Sequence, residues 1–316
     1  MDKNSEITRK KMWVVKLSVA SNSALVVFKL IVGFAIGSVS VLSEAIHSGI
    51  DLVAALIAYF AVRSSGKPAD RQHRYGHGKF ENISGFVEAL LIFGASAWII
   101  YEAVHKIRNP QPIETIGWGI LVMALSSFVN MVVSSTLFKI GNATDSVAIK
   151  ADAWHLRTDV YTSMGVMTGL ILIWFFSFFF HSHDLLWIDP AVAILVALLI
   201  IKAAYDLTMQ SLGDLLDIAL PEAHAEEIGK IIKAQAGVIS FKNLRTRKAG
   251  ATKFVDFDML VDGTISVEAA HAITDRITEE LERKLGSVHA TIHTEPCKLF
   301  CPEDCAPNCS SPDKPA

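Results

Sequence analysis

The chain has 316 residues and a mass of 34.5 kDa; 51% of its residues are hydrophobic and only 19% are charged. Soluble domains carry about 25% charged residues, so this composition excludes an ordinary soluble protein, and it equally excludes a disordered or collagen-like chain. The small net charge of −3 gives no support to nucleic-acid binding. An integral membrane protein with several spans remains, and a soluble part can accompany it.

Six stretches are long and apolar enough to cross a bilayer, or nearly so, since each span needs about 20 mostly apolar residues. They are Met12–Ile36, Val41–Val62, Ile83–Ile107, Ile116–Phe138, Val147–Phe180 and Leu186–Leu207. Lysine and arginine are concentrated in the polar N-terminus (1–11) and in the loops after spans two and four. The positive-inside rule therefore predicts that both termini lie in the cytoplasm.

The composition becomes polar after the membrane region (12–208) and a short junction (209–220), which predicts a cytoplasmic domain over 221–297. Periodicity predicts two helices and three strands: Pro221–Ala236, Ser240–Lys248, Thr252–Val261, Val267–Leu285 and Ser287–Glu295. The α-β-β-α-β order favours an α+β domain with helices on one face of a small sheet. A domain this small is marginally stable alone, so we expect it to dimerise. Residues 298–316 are predicted to form a flexible tail.

Two of the predicted spans carry the same ionisable pattern, H-x-x-x-D. It occurs as His47/Asp51 and as His155/Asp159, and a spacing of four puts each pair on one helix face. An aspartate at the centre of a spanning helix costs at least about 2.5–3.5 kcal/mol, so both need a compensating partner. Apart from Arg157, whose helical position points it away from this face, we expect no lysine or arginine at a matching depth.

A divalent cation is the natural partner for these four residues. Two imidazoles and two carboxylates from facing helices can form the tetrahedral shell that Zn²⁺ prefers. The simpler alternative, that each pair is only an interhelical hydrogen bond, is weakened because the pattern occurs twice. Metal ligands must be deprotonated, so protons and metal compete for the same atoms. A site that opens alternately to each side can therefore exchange metal for protons.

Five sequence stretches identify a known family. They are SEAIHSGID (43–51), DRQHRYGHGK (70–79), ADAWHLRTD (151–159), LLDIALP (215–221) and LRTR (244–247). With them the chain resembles the cation diffusion facilitators, most closely the bacterial zinc exporters. The resemblance implies a homodimer of six-helix membrane domains with a metallochaperone-like cytoplasmic domain, in the bacterial inner membrane. It also implies a transporter without an organic cofactor, which exchanges Zn²⁺, or a related ion such as Cd²⁺ or Fe²⁺, for protons.

The resemblance further assigns residues to sites. It implies a transport site (His47, Asp51, His155, Asp159), a loop zinc site (Asp70, His73, His77), a charge interlock between subunits (Lys79, Asp217, Arg247) and cytoplasmic metal ligands (Asp258, His271, His293, Glu295). Members with one transport-site histidine replaced by aspartate tend to accept Cd²⁺, so the two-histidine form is expected to be more zinc-selective. Lys242 and Asp258 stand where relatives often have histidine, which favours a single or weaker cytoplasmic site.

Some features admit two interpretations. The cysteines of the C-terminal segment (Cys297, Cys301, Cys305, Cys309) form either a metal-collecting site or a flexible tail with incidental thiols. Trp154 is either a gate over the transport site or a packing residue. The metal site itself admits two other functions: a membrane metalloenzyme, with Glu44 as the nearby base, and a metal sensor that does not transport.

Overall fold

The computed structural model describes residues 3–37, 39–109, 118–180 and 187–297. The chain divides into two compact units, Met1–Leu212 and Gly213–Ala316. The division lies inside the junction that composition predicts at 209–220.

The first unit consists of long helices. They are α1 (Lys3–Ile36), α2 (Val39–Ser65), α3 (Lys79–Arg108), α4 (Trp118–Ala143), α5 (Val147–Phe180) and α6 (Ile188–Leu215). All but α5 are long and apolar enough over their described residues to cross a membrane. Helix α5 is as long as α1, at 34 residues, and most side chains in its apolar second half lie outside the described set. The predicted helical membrane fold is confirmed.

The helices of this unit pack through two apolar clusters. One joins α1, α2, α4 and α5 through residues that include Val15, Val62, Leu137 and Leu156. The other joins α3, α5 and α6. Gly85 marks the close approach of α3 to α5, because a Cβ atom there would lie 2.7 Å from Cγ1 of Val147. A larger residue at position 85 would push these helices apart.

A buried ion pair ties four elements together at one end of this unit. The Glu81 carboxylate on α3 accepts hydrogen bonds from Lys11 Nζ of α1 at 2.8 Å and from Ser65 Oγ of α2 at 2.7 Å. The hydroxyl of Ser146, directly before α5, donates to the other carboxylate oxygen. A buried carboxylate is tolerated only when it is paired and hydrogen-bonded, and this network meets that requirement.

The second unit has the predicted α-β-β-α-β order. Its elements are α7 (Glu222–Lys233), β1 (Ser240–Ala249), β2 (Thr252–Val261), α8 (Val267–Leu285) and β3 (Val288–Pro296). The sheet order is β1-β2-β3; β1 and β2 are antiparallel, whereas β2 and β3 are parallel. Gly250 makes the β1–β2 turn with a positive φ of 60°, a conformation that glycine adopts without strain. The α+β prediction is confirmed.

The core of this unit lies between the two helices and one face of the sheet. Ile228 and Ile232 of α7 and Ile277 and Leu281 of α8 are buried in the same cluster as Met259 of β2. Because side chains alternate along a strand, Asp258 next to Met259 belongs to the opposite face. That face carries the predicted cytoplasmic metal ligands of the sheet.

Candidate metal centre

The four residues of the two H-x-x-x-D patterns meet between α2 and α5. His155 Nε2 lies 3.2 Å from Asp51 Oδ1, and both side chains are buried. His47 Nε2 lies 3.8 Å from Asp159 Oδ1. One ligand atom each from His47, Asp51 and Asp159 lies within 4.8 Å of the other two. The spacing of four on each helix therefore brings three of the residues into one group and places His155 against Asp51, and both close contacts cross from α2 to α5.

The separations within this group suit a small tetrahedral cation. Zn²⁺ binds imidazole nitrogen and carboxylate oxygen at about 2.0–2.2 Å, which puts two donor atoms of a tetrahedral shell about 3.3–3.6 Å apart. The two helix-to-helix contacts, 3.2 and 3.8 Å, bracket this separation. The donor atoms of His47, Asp51 and Asp159 lie close enough together to hold one ion, and His155 contacts Asp51 beside them.

A cavity of about 210 Å³ adjoins the group and is lined by α1, α2, α4 and α5. Its polar lining includes Ser126 and Asn130 of α4 and Thr162 of α5. Asn130 Nδ2 donates to Asp159 Oδ2 at 3.5 Å, at the outer limit of a hydrogen bond. Such outer contacts orient metal ligands and fix their lone pairs. Sequence reasoning missed Asn130, because one amide in an apolar span has no diagnostic spacing.

Lys29 of α1 also lines this cavity. Its side chain is buried, with the residue 4% exposed, and Nζ donates to Ser48 Oγ at 2.8 Å. The expectation that Arg157 is the only basic residue at this depth is therefore wrong. Arg157 itself behaves as expected: it donates to Ser134 and Ser135 of α4, away from the cavity. Lys29 was overlooked because a lone lysine in a long span is usually assumed to extend to the membrane surface.

The loop between α2 and α3 forms the second group. Asp70 Oδ1 lies 3.4 Å from His73 Nδ1, and Asp70 Oδ2 lies 3.3 Å from His77 Nε2. The backbone amides of Gln72 and His73 donate to Asp70 Oδ1, and the hydrogen bond from His73 is the main cause that lowers the pKa of Asp70. His77 is buried, and its Nδ1 has no hydrogen-bond partner among the described residues. Two imidazoles and an ionised carboxylate at these distances fit a zinc ion with one further ligand.

The predicted cytoplasmic ligands are only partly adjacent. Asp258 pairs in register with Lys242 on one side and with His293 on the other. Lys242 Nζ donates to Glu295 Oε2 at 2.7 Å, and this contact raises the pKa of Lys242. His271 lies on α8, 3.7 Å from Asp275. Among the described residues these four ligands do not form a group with metal-binding separations; a lysine ammonium contacts Glu295 instead.

The residues of the predicted charge interlock are divided between the two structural units. Arg247 Nη1 lies 3.5 Å from Asp217 Oδ1 within the second unit, whereas Lys79, the first residue of α3, belongs to the first unit.

The Trp154 ring packs edge-on against the Phe138 ring, with 5.3 Å between the ring centroids. Trp154 also lines a different cavity from that of the transport-site ligands. Both observations favour the packing interpretation of Trp154.

Of the four cysteines, the structure describes Cys297. Cys297 is partly buried. Cys301, Cys305 and Cys309 lie outside the described residues, as does the side chain of Glu44.

Comparison with known proteins decides the family. Residues 15–216 match the family model described as the cation efflux transmembrane domain, and residues 220–297 match that of the cation efflux protein cytoplasmic domain. The chain belongs to the cation efflux family. The two matched regions meet at the junction between the two structural units.

Several known transporters are similar to this chain over most of their own length. The cation-efflux pump FieF of Shewanella oneidensis is 30% identical over 284 residues, which cover 90% of this chain and 93% of the pump. The uncharacterized transporter sll1263 of Synechocystis is 31% identical and covers 82% of this chain and 82% of its own length. A solved structure of CzrB, whose description concerns zinc transport, is 31% identical over 25% of this chain and 99% of its own, with a TM-score of 0.24.

Membership of the cation efflux family establishes the general function. The chain is an integral membrane protein that exports divalent metal cations, and it is a transporter rather than an enzyme. The metalloenzyme alternative is therefore excluded.

Proposed function

We propose that this protein exports Zn²⁺ from the cytoplasm in exchange for protons. His47, Asp51, His155 and Asp159 bind the ion between α2 and α5. The observation that carries the proposal is the pair of contacts of 3.2 and 3.8 Å that join both H-x-x-x-D patterns across these helices. Imidazole and carboxylate together favour Zn²⁺ over the harder Mg²⁺ and Mn²⁺.

Proton exchange follows from the chemistry of the ligands. Protons and metal compete for the same imidazole and carboxylate atoms, so metal release to the outside favours proton uptake. Reorientation of the protonated site returns those protons to the cytoplasm, where metal displaces them. A downhill proton gradient therefore drives metal uphill without ATP.

The remaining groups support this cycle. Asp70, His73 and His77 hold a structural zinc ion in the loop between α2 and α3. The cytoplasmic domain joins two copies into a homodimer in the bacterial inner membrane, with both termini in the cytoplasm. The assignment of Lys79, Asp217 and Arg247 to a charge interlock between subunits stays a prediction. The Zn²⁺ preference is supported by the donor set, with Cd²⁺ or Fe²⁺ as related substrates.

The test is Zn²⁺ flux in sealed proteoliposomes under an imposed pH gradient. Zn²⁺ should accumulate on the acidic side of the membrane, because it moves opposite to the protons. This accumulation should collapse when a protonophore dissipates the pH gradient. Flux that ignores the gradient would overturn proton exchange. Saturable Zn²⁺ binding with no flux at all would instead support a sensor.

A further inference from the structure

The cavity beside the transport-site ligands lies on only one side of them. Among the described residues, α5 lines the cavity from Asp159 onwards, whereas α2 lines it only up to Asp51. With both termini in the cytoplasm, as proposed above, α5 runs towards the outside and α2 runs towards the cytoplasm. Both helices therefore place the cavity on the outer side of the ligands.

The cytoplasmic side of the ligands is closed by apolar packing. Val15 of α1, Val62 of α2, Leu137 of α4 and Ile149 of α5 belong to one cluster, and none of these side chains is more than 1% exposed. Each lies nearer the cytoplasmic end of its helix than the residues of that helix that line the cavity. An ion cannot pass a core packed in this way, so the structure corresponds to the state in which the site faces outwards.

The Lys11–Glu81 network lies at the cytoplasmic end of the same helices. Lys11 Nζ of α1 and Ser65 Oγ of α2 donate to Glu81 Oε1 of α3 at 2.8 and 2.7 Å, and Ser146 donates to the other carboxylate oxygen. Lys11 is 8% exposed and Glu81 is 1% exposed. The buried apolar residues of α3 pack in a separate cluster with α5 and α6. The network is therefore a polar link from α3 to α1 and α2, two helices of the closing cluster.

From this placement we infer that the Lys11–Glu81 ion pair is a cytoplasmic latch of the transport cycle. It holds α3 against α1 and α2 while the site faces outwards, and it parts when the cytoplasmic side opens to admit the metal ion. An ion pair suits this role. The pair is strong where it is buried, whereas water hydrates both charges once the cytoplasmic side opens. The inference rests on the orientation and the transport cycle proposed above.

The competing explanation is that the pair only stabilises the fold. Glu81→Gln removes the negative charge but keeps the shape of the side chain and an acceptor for Ser65. It leaves the Lys11 charge buried, so the double variant Lys11→Met/Glu81→Gln serves as a second test in which both charges are absent. Glu6→Gln is the matched control, because it breaks the exposed Glu6–Lys10 pair of the same helix.

The experiment measures how fast a membrane-impermeant maleimide labels single cysteines in membrane vesicles of each orientation, with EDTA present. It uses the full chain with its four cysteines replaced by serine. Ala61→Cys reports on the closing cluster, and Ser127→Cys reports on the outer cavity. Both latch variants should speed labelling at position 61 at least about fivefold and slow it at position 127, because the population shifts from the outward-facing to the inward-facing state. In Glu6→Gln both rates should stay within about twofold of the parent protein.

Opposite changes at the two positions distinguish a latch from a structural contact. Faster labelling at both positions would mean that the helices merely loosen, and unchanged labelling at both would mean that the pair does not hold the closed state; either result overturns the inference. The parent protein tests the proposed orientation separately. If position 61 is labelled from the outside and position 127 from the cytoplasm, that orientation is wrong. If the sides are as proposed but neither latch variant responds, only the latch is rejected.

Discussion

His155 Nε2 lies 3.2 Å from Asp51 Oδ1, although the two residues are 104 positions apart in the chain. The contact joins α5 to α2 inside the membrane domain, with both side chains buried. An isolated Asp at this depth would be strongly unfavourable, so the pair must either share a proton or hold a cation. The proposed transport mechanism uses both states in turn.

Replacement of a transport-site aspartate is expected to abolish Zn²⁺ transport while the protein stays folded. Asp51→Ala and Asp159→Ala should each lower flux by more than about 100-fold, because even the outer partners of a metal site contribute about 10–100-fold. Gel filtration should show an unchanged dimer. Asp206→Asn is the control, since Asp206 of α6 lines the other cavity. Near-normal flux in Asp51→Ala would contradict the proposed ligand set.

Substitution of one histidine should change metal selectivity. The ratio of Cd²⁺ transport to Zn²⁺ transport is expected to be several times higher in His47→Asp than in the parent protein, because the variant loses one of the two imidazoles that favour zinc. Competition between the two ions in proteoliposomes measures the ratio. His105→Asp, at the end of α3 and outside both metal groups, should not alter it. An unchanged ratio in His47→Asp would show that selectivity is determined elsewhere.

The loop site should lose its zinc ion on mild acidification. The pKa of Asp70 is lower in the folded protein than the ordinary value for aspartate of about 3.9. Its ionised form therefore stabilises the folded loop above that pH, and this stabilisation is lost only when the pH falls through the lower pKa of the folded state. Between pH 7 and pH 5 Asp70 therefore stays ionised, and protons compete with the metal for the other ligands.

The measurement is bound zinc against pH in the Asp51→Ala background, in which the loop is the remaining membrane-domain site. Zinc should leave between pH 7 and pH 5. Asp70→Asn should weaken binding at every pH in this range and should therefore move the midpoint of zinc release to a higher pH. Release confined to pH values below 4 would show that the carboxylate, and not the imidazoles, controls binding.

The buried Lys11–Glu81 pair should contribute far more to stability than the exposed Lys10–Glu6 pair of the same helix. Glu81→Ala leaves the Lys11 charge buried without its partner and should cost about 3–5 kcal/mol. Glu6→Ala should leave the free energy of unfolding nearly unchanged, because solvent screens exposed pairs. Thermal unfolding in detergent compares the two variants. Equal losses would mean that the network around Glu81 is not a structural tie.

The cytoplasmic domain should gain a zinc site when Lys242 is replaced by histidine. Lys242 contacts Glu295 and pairs in register with Asp258, so its ammonium group lies among the predicted metal ligands. The Lys242→His variant removes that charge and adds an imidazole beside Asp258 and His293. We expect one more bound Zn²⁺ per protomer in equilibrium dialysis, and no change in Lys284→His, an exposed site on α8. Unchanged stoichiometry in Lys242→His would rule out a latent metal site.

Much of this architecture follows from local pattern. Helix α8 and strand β2 begin and end at the residues that periodicity predicts, because each buries one continuous apolar face. His47 and Asp51 could be predicted to face the same partner as His155 and Asp159, because a spacing of four on a helix is enough. The long apolar spans likewise require no tertiary information.

Other features depend on contacts that no local pattern encodes. Lys29 meets Ser48 only because α1 packs against α2, and its single position in an apolar span gives no periodic signal. Lys242 reaches Glu295 across the sheet, 53 positions away. A bulge in β1 between Lys242 and Arg245 shifts the local register with β2, and the sequence does not predict it. Both lysines are positive charges at predicted metal sites, and tertiary packing alone reveals them.

The most direct test of the central claim is Zn K-edge X-ray absorption on protein whose only intended site is the transport site. Alanine replaces His73 and His77, and serine replaces Cys297, Cys301, Cys305 and Cys309. The account predicts one tightly bound Zn²⁺ per protomer, with four nitrogen and oxygen neighbours at about 2.0 Å and a clear imidazole signature that halves in His155→Ala. A spectrum of six-coordinate, water-rich zinc, unchanged by His155→Ala, would contradict a shared site between α2 and α5.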